Sequence, residues 1–136
     1  MLAAFVGHFV LVVSLYVWLS VLRLQSVSSG CTNYSDYARL DGDQGIALRV
    51  QRNLSNQFEA PLFAYIAMAI LLQQGAVGGW DVAAAWMFLA GRVVHTAVQT
   101  LTENIPLRGA VFSINFVGVM MLVGHVGLLV LAGVLR

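Results

Sequence analysis

The stretch RVQRNLSNQFEAP, residues 49–61, places Arg49, Arg52, Asn56 and Glu59 at the start of an apolar run. At 100° per residue, these four polar side chains fall within an arc of about 80° on a single helix. Hydrocarbon excludes such a set, because a charge inside a membrane is costly unless it faces a bundle interior, a partner or a wet cavity. The stretch therefore predicts a polar stripe that faces the inside of a helical membrane bundle.

The composition of the chain is that of an integral membrane protein. Of its 136 residues, 60% are hydrophobic and 10% are charged, whereas soluble domains carry about 25% charged residues. Residues 2–22 contain no charged side chain, and further apolar runs occupy 60–72, 82–90 and 110–135. Because a spanning helix needs about 20 residues, we predict one all-α domain over 1–136, an integral membrane four-helix bundle. Its helices cover about 2–22, 49–74, 80–101 and 107–135, and a cytoplasmic loop covers about 23–48.

The charge balance limits the partners and sets the orientation. The net charge of +1 argues against nucleic acid, which needs a clustered basic surface. With four spans, the first and third loops share one side of the membrane, and they contain Arg23, Arg39, Arg49 and Arg108. The opposite side contains only Arg136. The positive-inside rule therefore predicts that both termini face away from the cytoplasm.

The cysteine and histidine content argues against a disulfide and against a metal site. Cys31 is the only cysteine, so no intrachain disulfide can form. The three histidines, His8, His95 and His125, are scattered over different predicted helices and follow no zinc-ligand spacing. We therefore predict no metal.

The predicted second helix has two interpretations. Arg52, Asn56 and Glu59 follow an i, i+4, i+7 pattern, which fits either a binding surface or an internal salt-bridge network that holds the bundle together. Pro61 cannot donate a hydrogen bond to the carbonyl of Gln57, so it predicts a kink beside Glu59. Such a kink would leave a polar group open to a ligand.

The next two helices repeat the pattern near the same end of the bundle. The third helix has one polar face, and in the fourth helix an arginine, an aromatic ring and an amide share a face. His95 could equally be a core histidine that bonds a neighbouring carbonyl or carboxylate, and Arg108 could be an interfacial anchor. These faces consist of Arg92, His95, Gln99 and Glu103 in the third helix, and of Arg108, Phe112 and Asn115 in the fourth.

A pocket made of arginines, an amide, an acid and a histidine suits a small ligand with carboxylates and an ammonium group. Glutathione has that charge pattern. Its carboxylates would pair with arginines and its α-ammonium with Glu59. A cation near its sulfur would favour the thiolate, which could attack an electrophile dissolved in the bilayer.

Three motifs resemble one known family. They are Arg52-x-x-x-Asn56-x-x-Glu59 followed by Pro61, Gly91-Arg92-Val93-Val94-His95-Thr96, and Pro106-Leu107-Arg108. Together with the length and the four-helix layout, they resemble the membrane-associated proteins in eicosanoid and glutathione metabolism (MAPEG), especially bacterial members with a run like residues 56–59.

The resemblance implies a homotrimer that holds glutathione between neighbouring subunits near the cytoplasmic face. It implies that Arg108 is the catalytic residue that stabilises the thiolate. Arg49 and Arg92 become candidates for structural ion pairs. The glutathione-binding residues that it implies are Arg52, Asn56, Glu59, His95 and Arg23.

The chain departs at three positions from the catalytic members of the family that it resembles. Gln99 stands where those members have tyrosine, and Gly109 and Phe112 stand where they have a hydroxyl residue and a tyrosine. We include Gln99 and Phe112 among the candidate glutathione contacts. Without these hydroxyl groups, binding and catalysis become separate hypotheses.

The leading functional hypothesis is a glutathione transferase or peroxidase in the bacterial inner membrane, acting on a hydrophobic electrophile or a lipid hydroperoxide. An alternative is a non-catalytic scaffold of the same fold that binds a lipid or a protein partner. A third alternative is a purely structural bundle with buried ion pairs. The order of the motifs across three helices weakens it, because a structural bundle does not need that order.

Overall fold

The computed structural model describes residues 1–39 and 41–133, and all regular structure in that part of the chain is helical. The predicted all-α class is confirmed. The helices are α1 (Leu2–Ser28), α2 (Tyr34–Ala38), α3 (Gly45–Asn56), α4 (Ala60–Gln73), α5 (Gly79–Leu101) and α6 (Ile105–Leu131). Arg136 and the last residues of the predicted fourth helix lie outside the described residues.

Among residues 1–39 and 41–133, two helices are long and apolar enough to cross a membrane, namely α1 and α6 with 27 residues each. At 1.5 Å per residue, each is about 40 Å long, more than the roughly 30 Å of a bilayer's hydrocarbon core. Both expose large apolar side chains, such as Phe9 and Val17 on α1 and Ile114 and Val117 on α6. Such exposed apolar surfaces are suited to contact with lipid. The count of four spans stays a prediction.

The predicted helix over 49–74 is wrong as one continuous element, because it is divided into α3 and α4. The amides of Gln57 and Phe58 bond back only three residues, to Leu54 and Ser55, which tightens the end of α3. Glu59 then has φ −90° and ψ −101°, outside the helical region. Pro61 lies in the first turn of α4, where its missing N–H costs no helical bond.

The segment predicted as a loop over 23–48 contains parts of three helices. The first helix continues past residue 22 to Ser28, and α3 begins at Gly45, before the predicted start at 49. Between them, the short α2 begins where the amide of Asn33 donates to the carboxylate of Asp36 at 2.8 Å. The turn residues of this segment therefore act as caps and connections rather than as one long loop.

Helices α5 and α6 approach each other closely at two glycines, Gly91 and Gly118. A Cβ at Gly118 would lie 2.9 Å from the carbonyl oxygen of Ala84, and one at Gly91 would lie 2.5 Å from Cβ of Asn115. Small residues let membrane helices approach closely. The closely packed α5–α6 pair contacts the other long helices: α4 packs on α6, and both α1 and α3 pack on α5.

The apolar core has two parts. The first lies among α4, α5 and α6, includes Phe88 and Leu122, and also contains Ala4 of α1. The second lies between α1 and α3 and includes Leu15 and Val50. Residues on α1 place the two parts on either side of His8, so a polar layer separates them.

Candidate functional site

An open pocket of about 520 Å³ lies where α3, α5 and α6 meet. Its volume is within the range of roughly 300–1,000 Å³ that is usual for small-molecule sites. We call it the arginine pocket. It is lined by Gln51, Arg52, Ser55 and Asn56 of α3, His95 and Gln99 of α5, and Arg108, Gly109 and Phe112 of α6.

Helical spacing explains why these side chains converge. On α3, Arg52 and Asn56 are four residues apart and therefore project from the same face. The same spacing joins His95 to Gln99 on α5 and Arg108 to Phe112 on α6. Three i, i+4 pairs from three helices thus surround one space.

The arginine pocket is cationic. Arg52 and Arg108 are exposed, and neither forms a salt bridge with a residue in 1–39 or 41–133. No acidic residue of that part of the chain lines the pocket. Two guanidinium groups that are free to bind an anion therefore face the same space.

One wall of the pocket is aromatic. The ring of Phe112 meets the His95 ring edge to face, with 5.8 Å between centroids, and stacks on Phe116 at 6.0 Å. His95 is buried, and its Nδ1 has no hydrogen-bond partner among the described residues. The pocket thus combines an anion-binding side with an apolar side.

Behind the pocket lies a buried network of side-chain amides that the polar stripe did not predict. Asn53 on α3 and Gln57, the residue that follows the last residue of α3, project into the bundle, and both are buried. Gln57 donates from Nε2 to Oδ1 of Asn53 at 2.9 Å, and Asn53 donates from Nδ2 to Oε1 of Gln99 at 2.9 Å. Thr96 donates its hydroxyl to Oδ1 of Asn53 at 3.0 Å. The sequence signal was the second i, i+4 polar pair, 53 and 57, beside the charged stripe.

The network continues toward α1 and α4. Arg92 is fully buried, and its Nε donates to Oε1 of Gln57 at 2.9 Å. Nε2 of His8 lies 2.8 Å from the same oxygen, and Nδ1 of His8 bonds the hydroxyl of Tyr65. A connected polar layer therefore crosses the bundle and ends at the arginine pocket.

The remaining predicted site residues lie elsewhere. Arg23 forms an ion pair with Asp43, and its guanidinium lies over the ring of Tyr37 with 5.3 Å to the centroid. Glu59 is exposed in the break between α3 and α4 and does not line the arginine pocket. The described structure thus brings together six of the predicted site residues and leaves these two apart: the six are Arg52, Asn56, His95, Gln99, Arg108 and Phe112.

The two candidates for structural ion pairs differ from each other. Nη1 of Arg49 lies 3.8 Å from Oε1 of the exposed Glu103, a long surface pair. Arg92 forms no salt bridge within residues 1–39 and 41–133 and bonds an amide instead. Asn115, expected on the same face as Arg108, is buried against Gly91 and does not line the pocket.

No group of three or more potential metal ligands occurs among the residues that the structure describes. Of the three histidines, His8 belongs to the polar layer and His95 to the pocket. His125 pairs with Asp81, with 2.8 Å between Nδ1 and Oδ1.

Comparison with known proteins agrees with the motifs. No curated protein and no solved structure matches the chain. The family model of MAPEG matches residues 1–128, nearly the whole sequence. This match indicates a membrane protein of glutathione or eicosanoid metabolism in general, and the long apolar helices of the chain agree with an integral membrane protein. The chain therefore belongs to the MAPEG family.

Proposed function

We propose that the arginine pocket binds glutathione. The observation that carries this proposal is the pair Arg52 and Arg108, which face one pocket with no acidic residue among its described lining. Glutathione has two carboxylates, and a guanidinium binds a carboxylate through two parallel hydrogen bonds. Asn56 and Gln99 add amide groups that can orient the peptide backbone of the ligand.

The chemistry proposed for this site is thiolate formation at Arg108. A positive charge near the sulfur favours the thiolate, and lowering a thiol pKa by two units requires about 2.7 kcal/mol. In a transfer reaction, the glutathione thiol loses its proton to water and its sulfur forms a bond to an electrophilic carbon of the substrate, while the bond from that carbon to its leaving group breaks and the leaving group departs with the electron pair. In a peroxidase reaction, two glutathione thiols become a disulfide while a lipid hydroperoxide becomes an alcohol and water. Phe112 offers an apolar surface for either hydrophobic substrate.

Family membership supports the assembly that we propose, and the distribution of arginines between the loops supports the orientation. The protein forms a homotrimer, and the open side of the arginine pocket is completed by a neighbouring copy or by lipid. It lies in a bacterial inner membrane, with the pocket at the cytoplasmic side and both termini on the other side. Native mass spectrometry should give three times the protomer mass of 14.7 kDa, and a monomer or dimer would contradict this proposal.

A second candidate function, a non-catalytic lipid- or partner-binding scaffold, is favoured by the hydroxyl content of the pocket. Ser55 provides the only side-chain hydroxyl among the described lining residues, and it donates to the backbone oxygen of Gln51 at 3.2 Å. Gln99, Gly109 and Phe112 have none. Proton donation to a substrate would then need water or the imidazole of His95.

The test is equilibrium binding of glutathione to the purified protein, with thiolate absorbance followed as the pH is varied. We expect the parent to bind glutathione and to form thiolate near neutral pH, and Arg108→Ala to lose the thiolate signal. Arg39→Ala is the matched control, because Arg39 is exposed and does not line the pocket. Absence of binding by the parent would contradict both enzyme activities. Binding without thiolate would favour the scaffold.

A further inference from the structure

Arg92 determines which groups of the buried amide network donate hydrogen bonds and which accept them. A guanidinium Nε–H can only donate a hydrogen bond, and it donates to Gln57 at 2.9 Å. The atom of Gln57 that meets Arg92 must therefore be the amide oxygen. His8 agrees with this direction, since its Nε2 lies 2.8 Å from the same oxygen and its other nitrogen can accept from the hydroxyl of Tyr65.

This direction passes along the network from one amide to the next. With its oxygen turned to Arg92, Gln57 has only its NH₂ group to offer, and this group donates to Oδ1 of Asn53 at 2.9 Å. Asn53 then has only its own NH₂ group left, which donates to Oε1 of Gln99 at 2.9 Å. Each side-chain amide has one donor end and one acceptor end, so the donor of Arg92 fixes the orientation of Gln57, and Gln57 in turn fixes that of Asn53.

At the end of the network, Gln99 presents a donor. Its oxygen accepts from Asn53 and also from Nδ2 of Asn56 at 3.3 Å. Its amide nitrogen has no hydrogen-bond partner among residues 1–39 and 41–133, and the side chain lines the arginine pocket. Turning the amide round would place its NH₂ group against two other NH₂ groups. Because Gln99 is only 5% exposed, water could not easily compensate for that arrangement.

We propose that Arg92 is a positioning residue that acts through Gln57 and Asn53 to hold Gln99 as a hydrogen-bond donor in the pocket. The acceptor is an anionic atom of glutathione, a carboxylate or thiolate, so this inference rests on the proposed function. Gln99 thereby supplies a donor at the position where the catalytic relatives have a tyrosine hydroxyl, and Arg92 determines that it is a donor and not an acceptor.

The first test compares Gln99→Glu with Gln99→Leu in the purified full-length protein, with glutathione as the probe. Gln99→Glu keeps the oxygen that Asn53 and Asn56 bind and replaces only the donor that faces the pocket. We expect its dissociation constant for glutathione to rise about 10- to 100-fold, the factor that corresponds to a hydrogen bond with a charged group. Gln99→Leu should weaken binding less, because it adds no negative charge.

The second test is a double-mutant cycle between Arg92 and Gln99. Arg92→Gln removes the obligatory donor and should weaken glutathione binding, whereas Arg92→Lys keeps a donor-only group and should restore it. In the Gln99→Leu background, Arg92→Gln should change affinity by less than about twofold, the scatter of independent effects. The matched control is Thr96→Val, which removes a hydroxyl from the same network without reversing any amide.

The outcomes separate this inference from the proposed function. If the parent does not bind glutathione, both are wrong. If the parent binds and Gln99→Glu binds equally well, Gln99 does not donate to the ligand, and only the inference is overturned. It is also overturned if Arg92→Gln weakens binding equally with and without Gln99, because Arg92 would then act through general stability. Even where Arg92→Gln fails to fold, Gln99→Glu still shows whether Gln99 donates to the ligand, and equal binding by that variant overturns the inference.

Discussion

At the residue scale, the main contrast is between arginines that are open to a ligand and arginines that are occupied. Arg23 and Arg49 have carboxylate partners, and Arg92 bonds an amide in the interior. Arg52 and Arg108 line the arginine pocket. The same residue type therefore serves for surface pairing, for internal hydrogen bonding and, in our proposal, for binding of an anion.

Arg52 and Arg49 provide a residue-scale prediction, since they lie one turn apart on α3. We expect Arg52→Ala to raise the dissociation constant for glutathione about tenfold, because it removes a charged donor from the pocket. Arg49→Ala should leave it nearly unchanged, because its only ion-pair partner in the described chain is the exposed Glu103 at 3.8 Å. Isothermal titration calorimetry of the two variants measures both. Equal losses of affinity would indicate a general effect of positive charge.

At the element scale, the break between α3 and α4 decides which polar residues can meet. Gln57 lies at the C-terminus of α3 and turns inward, whereas Glu59 lies in the break and is exposed. A continuous helix would have kept Glu59 on the face of Arg52 and Asn56. The break therefore separates the predicted stripe into a pocket-lining part and an exposed acid.

The close approach of α5 and α6 gives an element-scale prediction. Gly118→Ala should destabilise the protein by about 1–3 kcal/mol, because the new Cβ would lie 2.9 Å from the backbone oxygen of Ala84 and 3.0 Å from the amide of Phe88. Backbone atoms cannot rotate away as a side chain can. Thermal unfolding in detergent measures the change.

Gly124→Ala is the control for this prediction. Gly124 is on the same helix, and a Cβ there would meet nothing within 4 Å. The melting temperature should stay the same or rise slightly, since alanine favours a helix over glycine. Equal melting temperatures for both variants would show that α5 and α6 do not depend on this contact.

At the scale of the whole molecule, the proposed function requires the arginine pocket to face the cytoplasm. The single cysteine allows a direct test, because Cys31 is exposed just after α1, on the loop predicted to be cytoplasmic. A membrane-impermeant maleimide should label Cys31 only after intact bacterial cells are permeabilised. Labelling of Cys31 in intact cells would show that the protein has the opposite orientation.

The control for this experiment moves the cysteine to the other connection. Cys31→Ser combined with Gln74→Cys places it at the exposed C-terminus of α4, between α4 and α5. This variant should be labelled in intact cells. The two results together establish the orientation from opposite sides of the membrane.

The all-α class, the membrane character and the family could be predicted from the sequence, because they depend on composition, apolar runs and the order of motifs. The sequence also identified side chains that line the arginine pocket, including Arg52, Asn56, His95 and Arg108. Helical periodicity was enough for this, since residues four apart share a face regardless of what packs behind them.

Which polar groups already have a partner within the protein became known only from the packing of the helices. The separation of Arg23 and Glu59 from the pocket depends on the pairing with Asp43 and on the break before α4. Likewise, the direction in which Gln99 points depends on donors from Asn53 and Asn56. A sequence gives the donors and acceptors of each side chain, but the pairing of each one follows from the packing of the helices, because hydrogen bonds join groups distant along the chain only where packing brings them within about 3 Å.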